Sequence, residues 1–373
     1  MKNLIIGKFI SIFNFLIFLL SNTYLNQESI KSNTILLISN EDSIIYLKNA
    51  FKEKFKIGSM INFFEIEKAE EFIINHFDII APFYELKPEI ILDREISIIK
   101  GDNINPQVKF SEVTKKFLLF CENNQIPIKG STFVWSSMTP DWFFKENFDS
   151  TNKYVSKDIM DERLENFIKN TFSIFEKEFP KLKIYEYDVA TEIFENDGGG
   201  MRKESIWFRI YGDDSFVIKA FSFARKYAPL GCKLILSDYN EYIPYKTKDI
   251  YDMAMKLKEL GVIDGIGMES HLTDNFPKFE DYKIAFEKFV STGLEIYITE
   301  LEIMSNNNDN NDNQCSFYRQ IFQLAIEYKD YIGSIILFGT IDGNRSKQSN
   351  SLLFDYFYRP KRAYFCVIEA IEN

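Results

Sequence analysis

Strand-like runs that alternate with helix-period segments constrain this chain more than any other feature. β-branched and aromatic residues gather near 57–65, 77–83, 128–135, 183–191, 233–239, 265–271, 295–302 and 333–341. Between them, segments such as Ser111 to Asn123, Asp161 to Phe179 and Lys246 to Leu260 carry apolar residues at helical spacing. Ahead of the first strand, Glu41 to Phe55 also reads as a helix, leading into a strand at Lys56 to Ile66. Eight strands with interleaved helices predict a closed parallel barrel rather than an open sheet, so the expected fold is α/β, a single-domain (β/α)8 TIM barrel. The 373 residues, 46% hydrophobic and 16% aromatic, suffice for one large buried core.

Two strand-like runs end in acids. Ile184 to Gly200, IYEYDVATEIFENDGGG, passes from Ile184, Tyr185, Tyr187 and Val189 into Asp188, Glu192, Glu195 and Asp197. Ile296 to Met304, IYITELEIM, carries Glu300 near its C-terminal end. In an α/β barrel the C-terminal ends of the strands form the active-site face, and strands four and seven lie across its mouth from each other. One acidic cluster would solvate a loop. Two, on opposite strands, point to paired-carboxyl chemistry.

The remaining composition narrows the partners. A formal charge of −11 argues against nucleic acid or anionic membrane. Residues 1–23 place Lys2 and Lys8 before an apolar run from Phe9 to Leu20, then Ser21 and Thr23, which reads as a secretory signal preceding a domain over 24–373. The alternative for that run is an uncleaved anchor, since Asn14 interrupts it. Cysteines 121, 232, 315 and 366 have no metal-binding spacing, and with only His76 and His271 for company they predict no metal. Four cysteines allow three pairings, and mostly buried free thiols are expected. Ser305 to Gln314, SNNNDNNDNQ, is a polar low-complexity insert expected to form a loop. Asn344-Arg345-Ser346 is one glycosylation sequon.

DVATE followed downstream by YITELE resembles the acid/base and nucleophile motifs of glycoside hydrolase family 10, the retaining endo-β-1,4-xylanases. Phe133 to Trp142 (FVWSSMTPDW), Leu236 to Asn240 (LSDYN), Asp264 to Leu272 (DGIGMESHL) and Leu352 to Tyr364 (LLFDYFYRPKRAY) resemble its third-strand, fifth-strand, sixth-strand and C-terminal segments, over roughly residues 40–372. The resemblance implies Glu192 as acid/base, Glu300 as nucleophile and His271 as the histidine that supports the nucleophile. It implies sugar contacts from Glu85, Lys87, Trp135, Thr191, Glu269 and Phe338. A secreted monomeric enzyme without cofactor, acting on xylan or a related β-glycan and free of the membrane once the signal is removed, follows from it.

Several positions depart from the family pattern. Thr191 stands where the family has Asn, Glu269 where it has Gln, Phe338 where it has Trp, Ser131 and Ser136 where it has His, and Tyr84 where it has Asn. Glu269 would bring a further negative charge close to Glu300. These changes leave open two other functions, a barrel hydrolase for a different β-glycoside and a catalytically weak carbohydrate-binding relative.

Overall fold

The computed structural model describes residues 44–305, 312–343 and 350–371. Eight parallel strands follow one another around a closed ring: β1 (Lys56–Ile61), β2 (Ile79–Pro82), β3 (Ile128–Val134), β4 (Ile184–Thr191), β5 (Lys233–Asp238), β6 (Gly265–Met268), β7 (Glu295–Met304) and β8 (Ile332–Leu337). The ring closes where β8 pairs with β1, from Lys56↔Ser334 to Ser59↔Leu337. A long helix follows each strand: α1 (Phe63–His76), α2 (Glu112–Asn123), α3 (Lys157–Glu178), α4 (Ser215–Tyr227), α5 (Pro244–Glu259), α6 (Phe279–Val290), α7 (Asp312–Glu327) and α8 (Arg362–Glu369). This is the (β/α)8 barrel expected.

Capping chemistry sets the boundaries that apolar spacing could not. Asn62 accepts from the Glu65 amide while the Glu65 side chain accepts from the Asn62 amide, a reciprocal cap that starts α1 and ends β1 at Ile61 instead of 65. Ser156 caps α3 one way, its hydroxyl accepting from the Ile159 amide, so that helix begins at Lys157 rather than 161. Of the helix expected over 41–55, the described residues form one turn, Leu47–Ala50. The last strand stops at Leu337, short of 341. The sixth stops at Met268, and His271–Thr273 then pairs with Glu302–Met304 of β7 as a short extra strand.

The outward faces of the strands pack on the helices. Phe133 of β3, for example, stacks on Tyr187 of β4 and meets Phe167 and Phe172 of α3. A smaller apolar cluster comes from the other faces: Met60, Ile79, Ala81, Phe83, Ile336 and Phe338. The barrel interior also holds charge. Fully buried Lys129 is paired with Asp188, and the Ser334 hydroxyl donates to both Glu186 oxygens at 2.9 and 3.0 Å. Such groups are tolerated because each has a partner; burial still pushes the Glu186 carboxyl up to about 8.

Cys121 and Cys232 are buried free thiols, as expected, but Cys315 and Cys366 form a disulfide. The correction is tertiary in origin: α7 and α8 lie side by side and bring Cα atoms 51 positions apart in sequence to 5.5 Å. The polar insert is also shorter than its composition suggested. Residues 306–311 lie outside the described residues, yet α7 begins at Asp312, and buried Gln314 donates to the Ile303 carbonyl at 2.7 Å and the Asn350 carbonyl at 3.0 Å. The presumed signal, the boundary at residue 24 and the sequon at 344–346 lie outside the described residues. Among the described residues, no helix is long and apolar enough to cross a membrane.

Candidate active site

Strands β4, β5 and β6 are each followed at the barrel mouth by a non-glycine residue in the left-handed region: Glu192 (φ 52°), Asn240 (φ 55°) and Ser270 (φ 58°). Such residues persist only where the surroundings over-determine them. For Glu192 the anchor is its own amide, which donates to the Ser237 carbonyl of β5 at 3.1 Å. On β7 the device is a bulge. Ile298 pairs with Ile335 but Leu301 with Leu337, so one extra residue is absorbed on β7 at the height of Glu300.

Glu300 Oε2 lies 3.2 Å from His271 Nε2, and His271 Nδ1 lies 2.9 Å from Glu302 Oε1. With a carboxylate at each nitrogen, the imidazole is held well above its usual range against the downward push of burial. Burial would raise Glu300, but the His271 hydrogen bond and charge, with Lys87 and Lys129 behind, bring its carboxyl down to about 2. Glu192 is poised the other way. Burial raises its carboxyl, and the charges of Asp238 and Glu300 add to that. The nearby Trp135 indole and the Arg202 guanidinium, 3.8 Å from Glu192 Oε2, pull back only in part.

The expected sugar contacts fall into three groups. Trp135, with the Lys87 ammonium 4.9 Å from its ring centroid, and Phe338, edge-on to His271 at 4.6 Å, border the carboxyl pair. Lys87 is itself buried and donates to Ser131 Oγ at 2.8 Å, while the Thr191 hydroxyl donates to Glu269 Oε1 at 2.7 Å, so these four groups bind one another in two pairs. Glu85 does neither. Its two oxygens accept the backbone amides of Phe63 and Tyr84, both at 3.0 Å, which ties the β1 and β2 loops together. Ser136 and Tyr84 are exposed.

Sequence reasoning passed over Glu302, Arg202 and Lys129. Glu302 had a signal, since residues i and i+2 on a strand share a face and Glu300 had already been singled out. Arg202 had none: it reaches Glu192 because its Nε donates to the Phe194 carbonyl and its Nη2 to Tyr239 Oη at 2.8 Å, contacts made by folding of the β4–α4 loop. Glu269, His271 and Glu300 each offer a donor atom within 4.8 Å of the others, the spacing of a metal site. His271 spends its two ring nitrogens on Glu300 and Glu302, and Glu269, 3.8 Å from Nε2, stands outside that hydrogen-bonded chain.

Fold and site together define a (β/α)8 barrel whose mouth sets a carboxyl on β7 that His271 holds low against one just past β4 that burial pushes up. Residues 46–370 match the family described as Glycosyl hydrolase family 10, and the chain belongs to that family. It is 52% identical over 322 residues to the bifunctional endo-1,4-beta-xylanase XylA of Ruminococcus flavefaciens, covering 85% of this chain and 33% of that protein. Endo-1,4-beta-xylanase Y of Acetivibrio thermocellus is 35% identical over 350 residues, covering 87% of this chain and 32% of that protein. The chain thus spans about a third of the length of these relatives. Among solved structures, the endo-1,4-beta-D-xylanase 10B modules of Clostridium thermocellum in complex with xylohexaose superpose with a TM-score of 0.82 at 33% identity, covering 87% of this chain and 67% of that one. A mutant intracellular xylanase of Thermoanaerobacterium saccharolyticum in complex with xylotetraose gives 0.77 at 29% identity, covering 88% and 99%.

Proposed function

We propose that the chain is a retaining endo-β-1,4-xylanase in which Glu300 is the nucleophile and Glu192 the acid/base. The observation that carries this reading is the opposite poise of the two carboxyls, one brought down to about 2 and the other pushed up. Double displacement needs that pair, because one group must attack as an anion while the other still holds a proton for the leaving oxygen. Glu300 attacks the anomeric carbon, and Glu192 gives its proton to the departing glycosidic oxygen. Formation of the glycosyl ester consumes the negative charge of Glu300 that helped to raise Glu192. The Glu192 carboxyl then falls toward its ordinary value and takes a proton from the incoming water. Retention of configuration follows from two inversions.

Xylan as substrate is supported by the relatives named xylanases and by the xylooligosaccharides bound in the related structures. Action outside the cell, by a monomer, is part of the same proposal; the apolar run near the N-terminus supports export, and the Cys315–Cys366 disulfide suits an oxidising compartment. A second reading, another β-glycoside as substrate, is favoured by the Thr191–Glu269 bond, which occupies the hydroxyl next to the acid/base. Release of reducing ends from xylan, run beside an aryl β-xyloside and an aryl β-glucoside, separates them. Xylan and xyloside turnover is expected. Brisk glucoside turnover with inert xylan would select the second reading, and no turnover of any of the three would leave a binding protein.

A further inference from the structure

Three carboxyls surround one imidazole in this cleft. The two nitrogens of His271 face Glu300 at 3.2 Å and Glu302 at 2.9 Å, so both of its N–H groups are committed. Glu269, the third carboxyl, is 3% exposed, and its Oε2 stands 3.8 Å from His271 Nε2, beyond hydrogen-bond reach. No lysine or arginine among the described residues forms a salt bridge with it. Its one strong contact is the neutral Thr191 hydroxyl. The groups that face it are Glu300 of β7, Glu192 past β4, Asp238 of β5, and His271, with the Lys87 ammonium beyond β2 near enough to feel its charge. Three of these five are acids.

We propose that Glu269 works as a neutral carboxylic acid, a positioning residue that holds Thr191 through one oxygen and turns an O–H toward the Glu300–His271 pair, and that its ionisation switches the site off. An anion here would be buried without a counter-charge of its own, beside a nucleophile that must itself stay ionised. The neutral acid, like an amide, presents a donor on one side and an acceptor on the other. That equivalence explains how a carboxyl can stand here without quenching Glu300. Burial first, then the charges of Glu300 and Glu192, hold this carboxyl well above the ordinary range, with His271 opposing. The catalytic consequence rests on the reading of Glu192 and Glu300 given above; the protonation state does not.

Glu269→Gln tests it with two readouts. A carboxyl raised by folding lowers stability as pH climbs past the unfolded value, because the unfolded chain releases the proton sooner. Replacement by the amide removes that loss, so the variant should match wild type in Tm near pH 4 and exceed it increasingly toward pH 8. An equal Tm difference at every pH, or failure of this neutral isostere to fold while Thr191→Val folds, would overturn the proposal. The second readout uses the Glu192→Ala background and an aryl xyloside with a good leaving group, for which the acid is dispensable. There kcat/KM should fall about tenfold per pH unit above the Glu269 ionisation, and the added Glu269→Gln change should flatten that limb. An alkaline limb that survives the change contradicts the switch. If the glycosidase reading itself fails there is no turnover to follow, and the Tm comparison decides alone.

Discussion

Hydrogen bonds through both nitrogens of His271 join Glu300 and Glu302 into one unit, in which the imidazole supports the charge of Glu300, the proposed nucleophile. Removing the carboxylate leaves a space beside the anomeric carbon into which a small anion fits. Glu300→Ala should therefore abolish ordinary turnover, and external azide should restore reaction on an activated aryl xyloside with an inverted glycosyl azide as product. Glu192→Ala should instead keep the first step on such substrates, which need no proton, and stall in the second, where the base is missing. Product analysis by chromatography and NMR distinguishes the two, and ordinary activity in both variants would contradict the assignment. Thr191 illustrates how a residue's role changes once its surroundings are known. From the family resemblance Thr191 is a short side chain beside the proposed acid/base; in the structure its hydroxyl is spent on Glu269 at 2.7 Å.

At the scale of elements, β3 and β4 carry a buried ion pair, Lys129 with Asp188, beneath the cleft. Lys129→Met should destabilise the fold by about 3–5 kcal/mol, because Asp188 is left buried without its partner. The companion change Asp188→Leu should recover much of that loss; urea unfolding measures both, and a single variant of wild-type stability would show the pair to be dispensable. Strand existence and order were legible because β-branched and aromatic runs alternate with helical spacing, and Glu192 and Glu300 were legible because each ends such a run. Element ends were not. They depend on side-chain caps such as Asn62 with Glu65, which compete with the strand pattern at the same residues. Nor could spacing reveal that a bulge in β7 absorbs a residue beside Glu300, or that Glu85 spends both oxygens on backbone amides, since both follow from neighbouring strands. Arg202 was invisible for the same reason.

Across the whole molecule, the Cys315–Cys366 bridge ties α7, which follows β7, to α8, which ends the described barrel. A loop closed over 51 positions is worth roughly 4 kcal/mol in chain entropy. Cys315→Ser should accordingly lower stability by up to that amount while leaving kcat near wild type, because the bridge lies on the outer helices; thermal melting beside a xyloside assay checks both halves. In the proposed mechanism, Glu300 attacks as a carboxylate at the mouth of the barrel and Glu192 donates as an acid. Proton NMR of the first product released from a xylooligosaccharide tests it most directly. With Glu300 as nucleophile, the new reducing end is expected to appear as the β-anomer and only later to mutarotate. Initial appearance of the α-anomer would mean a single displacement by water, and would contradict the assignment of Glu300 as nucleophile.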